Sequence, residues 1–216
     1  MFADRPAYII THRSPRDSAD YVYQKVEEVL AAGGSRIAIV QLREPASDFE
    51  LSKVELLELG SALRVLCHKY GTRLVVNRRV DLALKIEADG IHLGADHSIS
   101  LVEARRSLGR ESIVGFSAHS KSEVEAAILG GASYVILSPI FSPLSKQSTR
   151  AVLGLEYLRD VCASAGLEIL ALGGVTSDNV RDCRKAGASG FAAISSVFLS
   201  ESPGSAINDL LKAWDG

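Results

Sequence analysis

Short, nearly continuous apolar runs alternate along this chain with longer stretches in which apolar residues recur every three or four positions. The first pattern is that of a strand buried on both faces, the second that of an amphipathic helix. Ala7–Thr11 (AYIIT) is a run of the first kind. Asp20–Ala32 is of the second, with Val22, Val26, Val29 and Leu30 at helical spacing and Gly33–Gly34 to end it. Arg36–Leu42 (RIAIVQL) predicts the second strand, and Asp48 is expected to cap a helix that runs to about Tyr70 before Gly71. The pattern continues with strand Arg73–Val76, helix Arg79–Ile86, strand Gly90–Leu93 and helix Ser100–Leu108. Strand Ser112–Phe116, helix Ser120–Leu129, strand Ser133–Leu137 and helix Leu155–Ala165 follow. The last units are strand Glu168–Leu172, a helix opened by Thr176, strand Gly190–Ile194 and a closing helix near Ser205–Trp214.

Ala-Asp-Gly at 88–90 and Gly-Ala-Ser at 131–133 and 187–189 each stand at or just before a strand. They read as one recurring helix-to-strand turn, hence an internal repeat of βα units. An open sheet would leave two edge strands, but all eight runs are similarly apolar. The expected fold is therefore an α/β protein of one domain spanning residues 1–216, a (β/α)8 TIM barrel.

Composition narrows the function classes. The chain has 216 residues, 47% hydrophobic, enough for a large core, and its net charge of −2 with scattered lysine and arginine gives no reason to expect a nucleic-acid partner. Cys67, Cys162 and Cys183 are odd in number, widely spaced and on predicted helices, as free thiols in a reducing compartment would be. No apolar run approaches membrane-span length and MFADRPAYII lacks a leader pattern, so a cytoplasmic protein that engages no membrane is expected.

In such a barrel the chemistry is read at the C-terminal ends of the strands. Gln41, Arg43 and Glu44 follow strand two; Asn77, Arg78 and Arg79 strand three; His92 and the loop Gly94–His97 strand four. Ser117 and His119 follow strand five, and Ser138–Lys146 (SPIFSPLSK) strand six. Strands seven and eight end in Gly173–Gly174 and Ser195–Ser196, and glycine lets backbone N–H groups approach an anion closely, so these ends predict a phosphate cup. The convergent arginines, lysine, asparagine and serines suit an anionic small molecule, with more than one phosphate. Each residue also has a plainer reading. Arg43 is either a ligand contact or an ion-pair partner of Glu44 or a neighbouring loop acid, His92 a ligand contact or a hydrogen-bonded structural histidine, and Arg79 and Asp81 a local salt bridge or helix cap.

QLRE at 41–44, VNRRVDLAL at 76–84, DGIHLG at 89–94, VGFSAHS at 114–120, PIF at 139–141, LGLE at 153–156, LGGV at 172–175 and AISSVF at 193–198 fall in order across nearly the whole chain. Together they resemble the thiamine phosphate synthase and TenI-like family of small β/α barrels. The resemblance implies a transferase of thiamine biosynthesis that joins an aminopyrimidine methyl diphosphate to a thiazole phosphate and releases pyrophosphate. It implies that Gln41, Arg43 and His92 line the pyrimidine side. Asn77, Ser117 and Lys146 would hold the diphosphate, with Arg43, Ser117 and Lys146 the catalytic set and Arg78 beside the substrate. Gly173, Gly174, Ser195 and Ser196 would take the thiazole phosphate. It also allows a homodimer.

The family holds Mg²⁺ on acids after strands three and four. Here Arg78 and His97 stand at two of those positions, leaving Asp96 as the candidate metal ligand. Guanidinium and imidazole are poor substitutes for the carboxylate and water oxygens that Mg²⁺ prefers. Pro45 stands where the family has a lysine, and Pro143 and Ser145 where it has threonines. Arg78 offers a fixed cation in the metal's stead. Two other readings stay open: a TenI-like enzyme acting on thiazole phosphate alone, although Pro139 stands at the position of that branch's catalytic histidine, and a non-catalytic regulatory barrel that keeps the cup.

Overall fold

Strands β1 (Ala7–Ile10), β2 (Ile37–Leu42), β3 (Arg73–Asn77), β4 (Gly90–Gly94), β5 (Ile113–Ala118), β6 (Tyr134–Leu137), β7 (Ile169–Ala171) and β8 (Gly190–Ala193) pair in chain order, all parallel. β8 returns to β1, through Tyr8 against Ala192 among others, and closes the barrel. The structure is a computed structural model and describes residues 1–44, 51–94, 99–142 and 150–216. The expected (β/α)8 TIM barrel is the observed architecture.

The helices are α1 (Ala19–Gly33), α2 (Lys53–Lys69), α3 (Val80–Lys85), α4 (Leu101–Leu108), α5 (Lys121–Leu129), α6 (Gly154–Ala165), α7 (Val180–Lys185), α8 (Ser195–Phe198) and α9 (Pro203–Asp215). Among the described residues, no helix is long and apolar enough to cross a membrane. Cys67 on α2, Cys162 on α6 and Cys183 on α7 are free.

Side chains alternate between the two faces of a strand, and the alternation divides the core in two. Ala7 and Ile9, Leu74 and Val76, Val135 and Leu137, and Phe191 and Ala193 pack outward with the helices. Tyr8 and Ile10, Val75, Tyr134 and Ile136, Leu170 and Ala192 form the second cluster, inside the barrel. The same parity carried to the strand ends places Gln41 with Ile39, Asn77 with Val75, Ser117 with Gly115 and Ser138 with Ile136. Polar residues therefore top the inner cluster; in β2 the parity holds from Ile39 onward, past a register shift opposite Ala7 and Tyr8 that leaves Ala38 and Ile39 both inside.

The recurring turn is real and involves a fourth copy. Thr72, Ala88, Ala132 and Ala188 each donate their backbone N–H to a carbonyl five residues back, at Cys67, Ala83, Ala127 and Cys183. This 6→1 closure requires a left-handed residue, supplied by Gly71, Glu87, Gly131 and Gly187.

Two local expectations are corrected. Asp48 lies outside the described residues, and α2 is capped by Ser52, whose hydroxyl accepts from the Glu55 N–H at 3.2 Å while the Glu55 carboxylate accepts from the Ser52 N–H at 2.9 Å. That reciprocal pair satisfies two helix-end donors. Thr176 does not open α7, which starts at Val180. Instead the Thr176 N–H donates to Asn179 Oδ1 and the Asn179 amide donates to the Gly174 carbonyl, both at 2.9 Å. This turn braces the Gly173–Gly174 loop from behind.

Candidate active site

The C-terminal mouth of the barrel holds two adjoining cavities. One, of about 300 Å³, is lined by Ser138, Pro139, Leu172 to Val175 and Ala192 to Ser196. The other, of about 620 Å³, is lined by Gln41, Arg43, Glu44, Asn77, Arg78, His92, Ser117 and Glu123 among others. His119, Arg150, Leu172 and Ile194 belong to both walls, so the two open on each other.

The smaller cavity is built of backbone. Gly173 and Gly174 have φ of 94° and 63°. A Cβ on Gly173 would stand 2.6 Å from Pro139 Cβ, and one on Gly174 2.3 Å from the Ser142 carbonyl oxygen. Glycine is thus required twice over, by conformation and by space. Among the described residues, no acceptor takes the backbone N–H of Gly173, Gly174, Ser195 or Ser196. Unengaged N–H groups around one small cavity make the arrangement that binds a phosphate.

The larger cavity is built of side chains, and its floor is one hydrogen-bonded chain. The Tyr134 hydroxyl donates to the Tyr8 hydroxyl at 2.9 Å, and Tyr8 donates to Gln41 Oε1 at 2.8 Å. Gln41 Nε2 donates to Asn77 Oδ1 at 2.8 Å. At the other end His92 Nδ1 lies 3.1 Å from the Tyr134 hydroxyl and Nε2 lies 2.7 Å from Ser117 Oγ. Six strands contribute to this chain: β5, β4, β6, β1, β2 and β3. Burial, and then the positive charge of Arg78, push the His92 imidazole down to about 3, so it is neutral near pH 7. Burial also raises the hydroxyls of Tyr8 and Tyr134, which stay protonated.

Above the chain the cavity is cationic. Arg43 is held by its backbone, whose N–H donates to Thr11 Oγ1 at 2.8 Å. Burial and then the neighbouring Arg78 guanidinium lower its affinity for a proton. A largely buried guanidinium beside a second, exposed one is costly alone and favourable once an anion lies between them. Arg78 is one of two non-glycine residues with positive φ among the described residues, at 63°. Its N–H donates to the His92 carbonyl at 2.9 Å, and that of Arg79 to the Asn77 carbonyl at 2.8 Å, which hold the turn in this conformation.

The structure therefore brings together Gln41, Arg43, Asn77, Arg78, His92 and Ser117 in the larger cavity, and Gly173, Gly174, Ser195 and Ser196 in the smaller. Asp96, His97 and Lys146 lie outside the described residues, as do Pro45, Pro143 and Ser145. Glu44 is the ion-pair partner of Arg13, both nearly buried, and its charge also acts on Arg43. For His92 the two readings coincide: it borders the cavity while both ring nitrogens are engaged. Arg79 and Asp81 form the local salt bridge expected of them, at 3.1 Å.

Four participants were not singled out by sequence reasoning. Arg13 sits after β1 and carries Glu44; Arg150 follows the polar stretch after β6 and lines both cavities. Neither belongs to a periodic pattern that would have marked it. Tyr8 and Tyr134 are hidden within apolar runs, where a tyrosine reads as core.

Among the described residues, no three His, Cys, Asp or Glu side chains are grouped so as to hold an ion. Glu44 is engaged by Arg13, and Glu123 accepts from the His119 N–H at 2.7 Å. The carboxylates that line the larger cavity are thus engaged by protein groups, and Asp96 lies outside the described residues.

Residues 7–197 match the family described as thiamine monophosphate synthase. A thiamine-phosphate synthase of Halalkalibacterium halodurans is 36% identical over 182 residues, 84% of this chain and 83% of its own length. One from Synechococcus sp. is 34% identical over 94% of this chain, which spans about half of that relative, 55%. The solved structure of thiamine phosphate pyrophosphorylase from Pyrococcus furiosus is 30% identical, covers 99% of this chain and 96% of its own, and superposes with a TM-score of 0.83. With this barrel and these strand ends, the chain belongs to the thiamine monophosphate synthase family.

Proposed function

We propose that this chain joins an aminopyrimidine methyl diphosphate to a thiazole phosphate, forming thiamine phosphate and pyrophosphate. The observation that carries the reading is the pair of adjoining cavities, one a backbone cradle for a single phosphate and the other a cationic chamber with a polar floor. A substrate with one phosphate and a second with a diphosphate fill the two, and their reacting ends meet at the shared wall of His119, Arg150, Leu172 and Ile194.

The chemistry asked of the protein is electrostatic. The bond from the pyrimidine methyl carbon to the diphosphate oxygen breaks with its electron pair leaving on the diphosphate. The thiazole nitrogen then supplies a pair to the methyl carbon. Arg43 and Arg78 stabilise the departing charge as it grows, with Asn77 and Lys146 as further donors, while Gln41 and His92 face the pyrimidine side. Gly173, Gly174, Ser195 and Ser196 fix the thiazole phosphate and so aim its ring. Because Arg78 and His97 stand where the family's acids are expected, the reading assigns the neutralisation to fixed guanidinium charge, with Asp96 left as the residue through which a metal requirement would appear. Cytoplasmic residence is part of the proposal, supported by the three free cysteines. So is a homodimer, which sedimentation velocity decides.

Purified protein mixed with both substrates, with and without Mg²⁺, tests the reading by formation of thiamine phosphate. Product in a chelated mixture is expected. Product only with Mg²⁺ would return the metal to Asp96 and its neighbours. No product in either mixture, with thiazole phosphate still bound or altered by itself, would replace the synthase with the TenI-like or regulatory alternative.

A further inference from the structure

Tyr8 and Tyr134 line neither cavity, and both are wholly buried. Their hydroxyls nonetheless join Gln41 and Asn77 on one side of the barrel to His92 and Ser117 on the other. A hydroxyl has one hydrogen to donate, and so does a neutral imidazole. The Tyr134 hydrogen goes to Tyr8, and the Tyr8 hydrogen to Gln41. Tyr134 can then only accept from His92, which places the ring hydrogen on Nδ1 and leaves Nε2 bare. Ser117 must in turn donate to Nε2.

We infer that Tyr8 and Tyr134 are positioning residues that order the protons of the whole chain, so that Ser117 meets a ligand only as an acceptor and Asn77 meets it through its amide N–H as a donor. Space is reserved for the link. A Cβ on Gly115 would stand 2.2 Å from the Tyr134 hydroxyl oxygen and 2.7 Å from His92 Nδ1. Burial of His92 supports the ordering, since an imidazolium would donate from both nitrogens and break the sense of the chain.

The consequence is a specificity rule, which rests on the proposed function only for the identity of the ligand. An oxygen of a phosphate or diphosphate suits Asn77 and the arginines but not Ser117, whose hydrogen is committed to His92. Ser117 instead takes an N–H or O–H from another part of the substrate. This separates two residues that the resemblance groups together on the diphosphate.

The test is histidine-ring ¹⁵N NMR on the unliganded protein, with His92 assigned by H92Q, so the result does not depend on whether the chain turns over any substrate. His92 is expected to carry its proton on Nδ1 alone, unchanged from about pH 8 to about pH 5. A wild-type ring protonated on Nε2, a mixture of tautomers, or an imidazolium in that range would overturn the inference. Tyr8→Phe removes the acceptor for Tyr134, whose hydrogen then turns to His92 Nδ1. The expected result is reversal to the Nε2–H tautomer, which a merely structural role for Tyr8 would not produce. Retention of the wild-type tautomer in a folded Y8F protein would sink the ordering role. Should Y8F fail to fold, the wild-type tautomer still decides.

Discussion

The two cavities at the barrel mouth are suited to anions by different physical means. The smaller one uses backbone: glycines in left-handed conformation, unengaged N–H groups and almost no charged side chain of its own. The larger one uses side chains: two arginines held close above a neutral, fully hydrogen-bonded floor. A backbone site is set by sterics, and its energy is bound up with the fold. A side-chain site is set by charge, and its cost is stored as repulsion and desolvation until a ligand arrives. The two should therefore fail differently when altered.

The largest expected effect is at the backbone site. Gly174→Ala places a Cβ against the Ser142 carbonyl and forces a left-handed alanine. It should lower stability by about 2–4 kcal/mol and abolish binding of thiazole phosphate, both read by denaturant unfolding with and without that ligand. Loss of binding without loss of stability would mean that the loop is not strained by the added carbon.

At the side-chain site the expectation is the reverse. Arg43→Gln should lower kcat/KM by about 10²–10³-fold, as loss of one donor to a developing anion does, while stability holds or rises because a like charge beside Arg78 is removed. Arg78→Gly sharpens the contrast: relief of the left-handed arginine should leave stability unchanged or up to about 1 kcal/mol higher, with activity lowered on the same scale. A parallel fall in stability and activity would erase the distinction between the two cavities.

The floor of the larger cavity carries a pH signature. The folded His92 pKa of about 3 lies below its ordinary 6.5, so below 6.5 the unfolded chain binds a proton that the folded one does not. The stability contribution is complete above about pH 6.5 and is lost as pH falls toward 3, by about 1.4 kcal/mol per pH unit at full slope. Around the ring, Tyr8 and Tyr134, whose hydroxyls burial raises, do not ionise in this window, nor does Ser117. Denaturant midpoints between about pH 6.5 and 5 should fall less steeply in His92→Gln than in the wild type, an equal slope in both being the contrary result.

The smallest effect returns to the backbone cup. Ser196→Ala removes a hydroxyl but no backbone N–H, so affinity for thiazole phosphate should change by about 1 kcal/mol or less, read by calorimetric titration. A loss much beyond tenfold would mean that side chains share in a site assigned here to backbone.

Most of the barrel was legible because each strand and helix announces itself locally. β2 and β6 are apolar on both faces, α1 keeps helical spacing, and Gly33–Gly34 stops it within a residue of the observed end. Ser52 shows the limit of such reading, since Asp48 by itself has the residue type of a cap, whereas the capping box needs both Ser52 and Glu55 at fixed spacing. The cup was legible because Gly173–Gly174 is conspicuous at a strand end. Arg13 was not, because its value comes from Glu44, which lies 31 residues away.

By itself the sequence determined which segments are strands and helices and which residues stand at the strand ends, since both follow from periodicities of two and 3.6 acting over a few residues. Only closure of the barrel decided which of those ends share a chamber. Tyr134 and Tyr8 are 126 residues apart and read as ordinary core, yet β1 and β6 bring their hydroxyls to 2.9 Å. A buried hydroxyl requires a partner, and in a closed barrel the partner lies across the interior, at a distance no local pattern encodes.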